Sequence, residues 1–514
     1  MTLNEKLSRE RVSGFLRAEN GKIVNGRGEE ILLVGMGIGN WLLPEGYMWK
    51  FGDRYNRPRR IEELVRELCG SAYAGRFWKT FRDSYITEED VRAMAELGFN
   101  SVRLPVNWRV VMEDEPGIAW KEDGFRLIDR FLGWCEKWGL YVCLDLHGAP
   151  GGQTGHNIDD SLDDIPRLFT DTESDSREKT ICLWREFARR YRDRSVVGMY
   201  DLLNEPVRTP VAGAKELPDL SEELKQFYRD CIRAVREIDK NHMFSLESVF
   251  WASRSDFFTE KFDDNANAHF HRYWCAPDIT VLEGFLDVRE KLGMPLYLGE
   301  TGENSQEWFA AMYPLCLSLD IGVNVWPWKK MDTDSSVCSI RRPAGWEWIA
   351  GYTRGGDRPS YGRAQAIFDE YLDNIRYENC DLRPRVAASI FRRPGCSFRA
   401  CDAVSFGGDV RRLDGEGNPA QKWEETRTVF GPGGSAAYRL YAEGEPGVLV
   451  LDTDFGTSAI EVEADGEVLL RTTAAGKRRI EIPVAKKEAF LLSLTCVKGG
   501  FSLDSIGWEK PDGK

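Results

Sequence analysis

The sequence predicts an α/β chain, a (β/α)8 TIM barrel followed by a smaller all-β sandwich domain. Three observations predict it. From about residue 31 to 375, eight short apolar runs alternate with longer segments of helical period. No glycine-rich phosphate loop of the GxGxxG or GxxxxGK type opens a helix, which weakens the rival open doubly wound sheet in its nucleotide-binding form. From about Arg383 the helical period gives way to glycine-rich, short alternating runs. These place a barrel domain over 1–380 and a β-domain over 381–514.

The candidate strands, in order, are 31–38, 100–106, 140–146, 196–203, 243–250, 266–273, 295–299 and 322–326. The helices between them have visible ends. Thr87 and Asp90 form a capping-box start before Val91, Met94, Ala95 and Leu97, and Gly98 stops that helix. Ile181, Trp184, Phe187, Ala188 and Tyr191 share one face of another, while Arg185, Arg189 and Arg192 face solvent. Insertions are expected at 50–84 and 148–175. Beyond 383, AAYRLYAEG, GVLVLDTD, AIEVEADG, KRRIEIPV, AFLLSLTCV and SLDSIGWE read as separate strands.

The chain of 514 residues is long enough for two domains. Its 69 basic and 83 acidic residues leave a net charge of −14, which opposes nucleic acid and anionic lipid as partners. The N-terminal MTLNEKLSRERVSG has no apolar stretch of the kind a leader needs, and no run approaches ~20 apolar residues. Twelve cysteines lack CxxC pairing, and several sit among apolar residues as reduced thiols do. A cytoplasmic protein is the expectation. The 17 tryptophans fit a core or sugar stacking equally.

In such a barrel the strand C-termini build the reactive face. The second run ends near Arg103 and Asn107, the third on His147, the fourth on Asn204 and Glu205, the sixth on His271 and Tyr273, the seventh on Glu300, and the eighth on Trp326 and Trp328. Each has a structural explanation as well: a glutamate at a helix N-terminus, an arginine in an ion pair, a tryptophan in the core. The histidines discriminate better, since four of the five (His147, His156, His269, His271) lie at or just past strand ends. Glu205 and Glu300 suggest paired-carboxylate chemistry. Retaining cleavage of a glycosidic bond needs a carboxylic acid and a carboxylate nucleophile about 5–5.5 Å apart. Asn204 suits the sugar 2-hydroxyl. Arg103 near Glu300 would keep that carboxylate ionised, while burial and the neighbouring negative charge would keep Glu205 protonated.

LLNEP on the fourth strand, FNSVRLPVNW on the second, YVCLDLHGAPGG on the third, HFHRY on the sixth, YLGETG on the seventh and VNVWPWK on the eighth together resemble glycoside hydrolase family 5. The resemblance covers about residues 31–375, in order. It implies a (β/α)8 hydrolase of β-glycosides that retains configuration and uses no cofactor or metal. Position by position it implies Glu205 as acid/base, Glu300 as nucleophile and Asn204 on the 2-hydroxyl. Arg103 and Tyr273 match groups that orient the nucleophile, and His147 and His271 line the site. Trp326 matches the stacking platform, with Trp328 as a second candidate and Lys329 as a hydroxyl ligand. GETG stands where GEFG is common. GMGIGNWLLPEGYMW resembles the exo-β-glucanase-like branch and brings in Asn40, Trp41 and Glu45, with Trp41 as mere loop packing the alternative. In the C-terminal domain, LYAEGEPGVLVLD and FSLDSIGWE resemble carbohydrate-binding modules of the family 6 and 35 type, against a purely structural sandwich.

The function implied is hydrolysis of β-glucosides or short β-gluco-oligosaccharides. The alternatives are an endo-β-glucanase or mannanase, a metal-dependent barrel hydrolase suggested by the His269 and His271 pair, and a non-catalytic sugar-binding protein. The partner is a carbohydrate, and the two insertions decide between a closed pocket and an open groove.

Overall fold

A computed structural model describes residues 2–211, 214–442, 446–486 and 489–511. Eight parallel strands close into a barrel: β1 (Val34–Gly37), β2 (Ser101–Asn107), β3 (Tyr141–Gly148), β4 (Val197–Asp201), β5 (Met243–Glu247), β6 (Ala266–His271), β7 (Leu296–Gly302) and β8 (Gly322–Trp326), with β8 pairing back onto β1. Every predicted run supplies one strand. The bounds differ where side chains or bulges intervene. β1 starts late because Asn100 takes over the chain before it, accepting from the Val34 N–H and donating to Leu32 O. β5 ends at Glu247 rather than 250, since Phe250 and Trp251 turn to positive φ. β7 runs past Gly299 because a register shift on β6 between Phe270 and His271 sets His271 opposite Glu300.

Successive inward positions divide the barrel interior into an apolar floor and a polar upper part. Leu33, Tyr141, Met199, Met243 and Tyr297 form the floor, and Leu16 and Ile23 of the N-terminal hairpin pack beneath them. Above it the inward positions are Arg103, Asp201, Ser245 and His269, then Asp145, His147, Glu247, His271 and Glu300, all buried. The helix Glu88–Glu96 begins with the expected Thr87 and Asp90 capping box, and on the helix Ser176–Tyr191 the residues Trp184, Phe187, Ala188 and Tyr191 are buried.

The chain divides into two compact units. One comprises the residues up to Arg272, Glu283–Thr301 and Asp320–Leu382; the other comprises Tyr273–Leu282, Gly302–Leu319 and the residues from Arg383 onward. The second unit is a largely antiparallel, sandwich-like β-structure. Its strands are β9 (Cys396–Arg399), β10 (Ser405–Gly407), β11 (Val410–Leu413), β12 (Arg427–Phe430), β13 (Ser435–Leu440), β14 (Gly447–Ala464), β15 (Glu467–Val484), β16 (Phe490–Lys498) and β17 (Phe501–Glu509). One expectation is corrected here. The runs GVLVLDTD and AIEVEADG are halves of one strand, β14, which pairs with β17 along its first half and β16 along its second. The FGTS segment between them shows as a register shift against β15, where a bulge bends the strand without ending it. Two short helices, Pro384–Phe391 and Pro419–Glu425, accompany these strands. Glu443 and Gly444, at the end of AAYRLYAEG, lie outside the described residues. No helix among the described residues is long and apolar enough to cross a membrane.

Candidate active site

The site is organised by Arg103 on β2. This fully buried guanidinium donates from Nε to Asp201 Oδ2 at 2.9 Å, from Nη1 to Glu300 Oε2 at 2.6 Å, and from Nη2 to Glu247 Oε1 at 3.0 Å and Asn204 Oδ1 at 2.8 Å. Asp145 Oδ2 lies 3.1 Å from the same Nη2. Four carboxylates from four strands thus share one cation. Burial opposes the Arg103 charge, but the surrounding carboxylates raise its affinity for the proton well above the ordinary value. One positive charge cannot balance four negative ones in a dry interior, so the acids divide. Burial, and next the charge of Asp201, pushes Asp145 and Glu247 well above the carboxylate range. Asp201, though burial opposes its charge, is held below that range by His269 and Arg103.

Glu205 follows β4 at φ 41°, and its backbone is fixed from three sides. Its N–H donates to Glu247 Oε2 at 2.7 Å, its carbonyl accepts from Thr154 Oγ1 at 2.8 Å, and Gln153 Nε2 donates to the preceding Asn204 carbonyl at 2.9 Å. Thr154 and Gln153 come from the 148–175 insertion. The Glu205 Oε1 atom lies 2.7 Å from His271 Nδ1. Burial first, then the charge of Glu300, pushes the Glu205 carboxyl well above its usual range, against the pull of Arg103. One oxygen of Glu205, one oxygen of Glu300 and one ring nitrogen of His271 lie within 4.8 Å of one another. Two glutamates therefore face each other in opposite settings, one gripped by a guanidinium and one set against an imidazole. Asn204 gives its oxygen to Arg103, and its buried Nδ2 has no partner among the described residues. A buried amide left open in this way is suited to a hydroxyl of a bound ligand.

His147 on β3 donates to or accepts from Asp145 Oδ2 through Nδ1 at 2.7 Å and stacks on the Trp326 indole, with centroids 5.4 Å apart and planes 3° from parallel. Burial and the Arg103 charge push His147 down to about 3, so the ring is neutral. The Trp326 ring lies over Gly37 and Gly39, where an added Cβ would stand 2.6 and 2.3 Å from indole carbons. Only glycine fits there. The Trp326 Nε1 donates to the Tyr47 hydroxyl at 2.8 Å.

Arg103, His147, Asn204, Glu205, His271, Glu300 and Trp326 are brought together, while Trp328, Lys329, Trp41 and Asn40 have their polar side-chain atoms engaged elsewhere. Trp328 is fully buried and donates to Asp90 Oδ1 at 2.9 Å. Lys329 Nζ is bound to Asp90 Oδ1 at 2.7 Å, Tyr85 O at 2.7 Å and Ile375 O at 3.0 Å, which uses all three protons. The Trp41 indole donates to Arg82 O and packs on Phe131. Asn40, at φ 69°, accepts from Trp49 Nε1 at 2.6 Å and donates to the Tyr85 hydroxyl. Glu45 is buried, and its N–H reaches Asn40 Oδ1 at 3.4 Å. Tyr273 lies two residues past β6, partly buried, in the second compact unit.

Glu247, Asp201 and Asp145 escape the strand-end reading. Asp145 and Asp201 sit inside apolar runs, and the run carrying Glu247 continues through Val249 and Phe250. The available signal is parity: each shares the inward face with a residue two positions away, as in Met243, Ser245 and Glu247. Glu247, His269 and His271, like Glu205, His271 and Glu300, have the spacing of a cation site. Their atoms are already committed to each other and to Arg103, whose permanent charge opposes a second cation.

Known proteins give this geometry a family. A model described as Cellulase (glycosyl hydrolase family 5) matches residues 67–337. The chain is 29% identical over 262 residues to a Beta-xylosidase of Phanerodontia chrysosporium, covering 50% of this chain and 52% of that protein, so it spans about half the length of that relative. It is 27% identical over 318 residues to Endoglucanase C of Acetivibrio thermocellus, covering 50% of this chain and 88% of that protein. A solved structure of an endogalactoceramidase aligns over 95% of this chain and 99% of that one at 17% identity, with a TM-score of 0.49. The family model spans more than half of the 514 residues, and the chain belongs to glycosyl hydrolase family 5.

Proposed function

We propose that the chain is a retaining β-glycoside hydrolase acting by double displacement on β-linked glucosides or short β-gluco-oligosaccharides. The carrying observation is that Glu205 and Glu300 present oxygens within 4.8 Å of each other in opposite electrostatic settings. Glu300, held by Arg103, attacks the anomeric carbon while Glu205 gives its proton to the leaving oxygen. Water then cleaves the glycosyl ester on Glu300, and Glu205 takes the water's proton. Asn204 Nδ2 binds the 2-hydroxyl, a contact that strengthens as positive charge grows on the sugar. The stacked His147 and Trp326 pair forms the platform. No cofactor takes part.

The tie between the two insertions supports exo action from a pocket. The buried Arg57 donates to Ser161 Oγ at 2.8 Å and Asp164 Oδ1 at 2.6 Å, and the Arg59 N–H donates to Asp160 Oδ1 at 2.9 Å, so 50–84 and 148–175 brace each other. Similarity to an endoglucanase favours a second reading, endo cleavage of a polysaccharide. A reducing, cytoplasmic setting fits twelve free cysteines. A catalytic domain over 1–380 and a sugar-binding or structural β-domain over 381–514 belong to the same reading.

Azide rescue tests the assignment. Glu300→Ala with azide is expected to release the α-glycosyl azide, and Glu205→Ala the β-glycosyl azide. Near-normal hydrolysis of an unactivated β-glucoside by either variant sinks the reading.

A further inference from the structure

His269 has no place in the proposed mechanism, yet it is fully buried at the centre of the barrel. It lies in a chain of short contacts whose directions can be read from one end. Ser245 Oγ donates to Asn267 Oδ1 at 2.9 Å, the Asn267 amide nitrogen being turned toward the sulfurs of Met199 and Met243. Ser245 Oγ therefore accepts from His269 Nδ1 at 3.0 Å. Asp201 Oδ2, an acceptor, lies 3.4 Å from the same nitrogen. Both neighbours put the hydrogen of His269 on Nδ1 and leave Nε2 bare.

The next contact is His269 Nε2 to His271 Nε2 at 3.1 Å. Two bare nitrogens would repel, so the hydrogen between them belongs to His271 Nε2. Glu247 Oε1, 3.5 Å from that nitrogen, favours the same placement. Burial lowers the proton affinity of both rings, in His269 against the pull of Asp201, so neither takes up a second hydrogen at neutral pH. His271 Nδ1 is then a lone pair, and it faces Glu205 Oε1 at 2.7 Å. Only a hydrogen on Glu205 makes that contact attractive. Gly299 makes room for the pair, since a Cβ there would stand 1.9 Å from His269 Nε2.

We propose that His269 is a positioning residue for the acid/base glutamate: by fixing the Nε2–H tautomer of His271, it presents a lone pair to Glu205 and keeps that carboxyl protonated. A hydrogen bond accepted from the neutral acid favours the neutral acid. The inference rests on the retaining reading, and it assigns a task to a residue that touches no reacting atom. The other charged and titratable groups facing this chain are Glu300, Arg103 and Asp145 around Glu205, His147, Glu247, Arg103 and Arg272 around His271, and Asp201, Glu247, Asp145, Arg103 and the Tyr297 ring edge around His269. Replacing His269 keeps these residues but removes the His269 contact that helps hold Asp201 ionised, with Arg103 still in place.

The test has two arms. In full-length protein with 15N-labelled histidines at neutral pH, the His271 signals, identified by their loss in His271→Gln, should show a protonated Nε2 and a bare Nδ1. A protonated Nδ1 overturns the proposal, and this arm needs neither turnover nor a His269 variant. In His269→Ala, the His271 ring is free to donate from Nδ1. The basic limb of kcat/KM on an unactivated β-glucoside should then move to lower pH by roughly one unit, with KM little changed. An unmoved or upward-shifted limb in folded His269→Ala protein overturns it. Loss of the retaining assignment in the azide experiment would leave the His271 tautomer measurable, so the two failures are distinct.

Discussion

Arg103 Nη1 stands 2.6 Å from Glu300 Oε2, and the two residues come from strands 197 positions apart in sequence. The contact puts the guanidinium of β2 beside the carboxylate of β7, while Glu205 across the mouth is pressed against His271. Removing Arg103 leaves four carboxylates buried without their cation. Arg103→Met is expected to lose about 3–5 kcal/mol of stability, read from denaturant unfolding, together with activity. A fold of undiminished stability would show that the acids are balanced elsewhere.

Glu205→Gln separates acid assistance from nucleophilic attack. An unactivated β-glucoside should lose about 10²–10⁴ in its glycosylation rate, whereas a dinitrophenyl glycoside, whose leaving group needs no proton, should lose far less. Equal losses on both substrates would contradict the role given to Glu205.

The raised proton affinity of Glu205 also has a sign in stability. Its folded value lies above the unfolded value of about 4.3, so the native state binds the proton more tightly and is favoured most at low pH. Stability is lost as pH rises through the folded value. Glu205→Gln escapes this loss and should be more stable than wild type at neutral pH by about 0.5–2 kcal/mol, the gap closing toward acid. Thermal melts across pH measure it, and a gap that widens toward acid would reverse the assignment.

The unpartnered Asn204 amide predicts a selective defect. Asn204→Ala should cost about 1.5–3 kcal/mol of transition-state stabilisation on a β-glucoside and little on its 2-deoxy analogue. Paired kcat/KM values for the two substrates decide it.

Lys329 is predicted to act on the fold alone. Lys329→Met leaves the buried Asp90 without its cation and should destabilise by about 3–5 kcal/mol, while the folded fraction keeps its KM. A raised KM at unchanged stability would return Lys329 to the sugar site.

The barrel is legible in the sequence because each strand is a short apolar run between capped helices, and the parallel order follows from that alternation. The strand ends are legible because chemistry-bearing residues break the apolar pattern there, as at Asn204, Glu205 and Glu300. Asp145, Asp201 and Glu247 are harder to find, since a buried charge inside a core run makes sense only once Arg103 is known to stand among them. Trp328 and Lys329 mislead for a related reason. They follow β8 in sequence, but Trp328 and Lys329 both turn toward Asp90, a residue 238 positions from Trp328 that sequence order does not bring near it. The long β14 is hidden because its central Gly456 and Ser458 read as a turn, whereas the pairing bends there and continues.

The most direct measurement is trapping of the covalent intermediate with a 2-deoxy-2-fluoro-β-glucoside bearing a dinitrophenyl leaving group, followed by peptide mass spectrometry. One glycosyl adduct is expected, on the YLGETG peptide at Glu300. An adduct on another residue, or no adduct together with release of the inverted sugar, would contradict it.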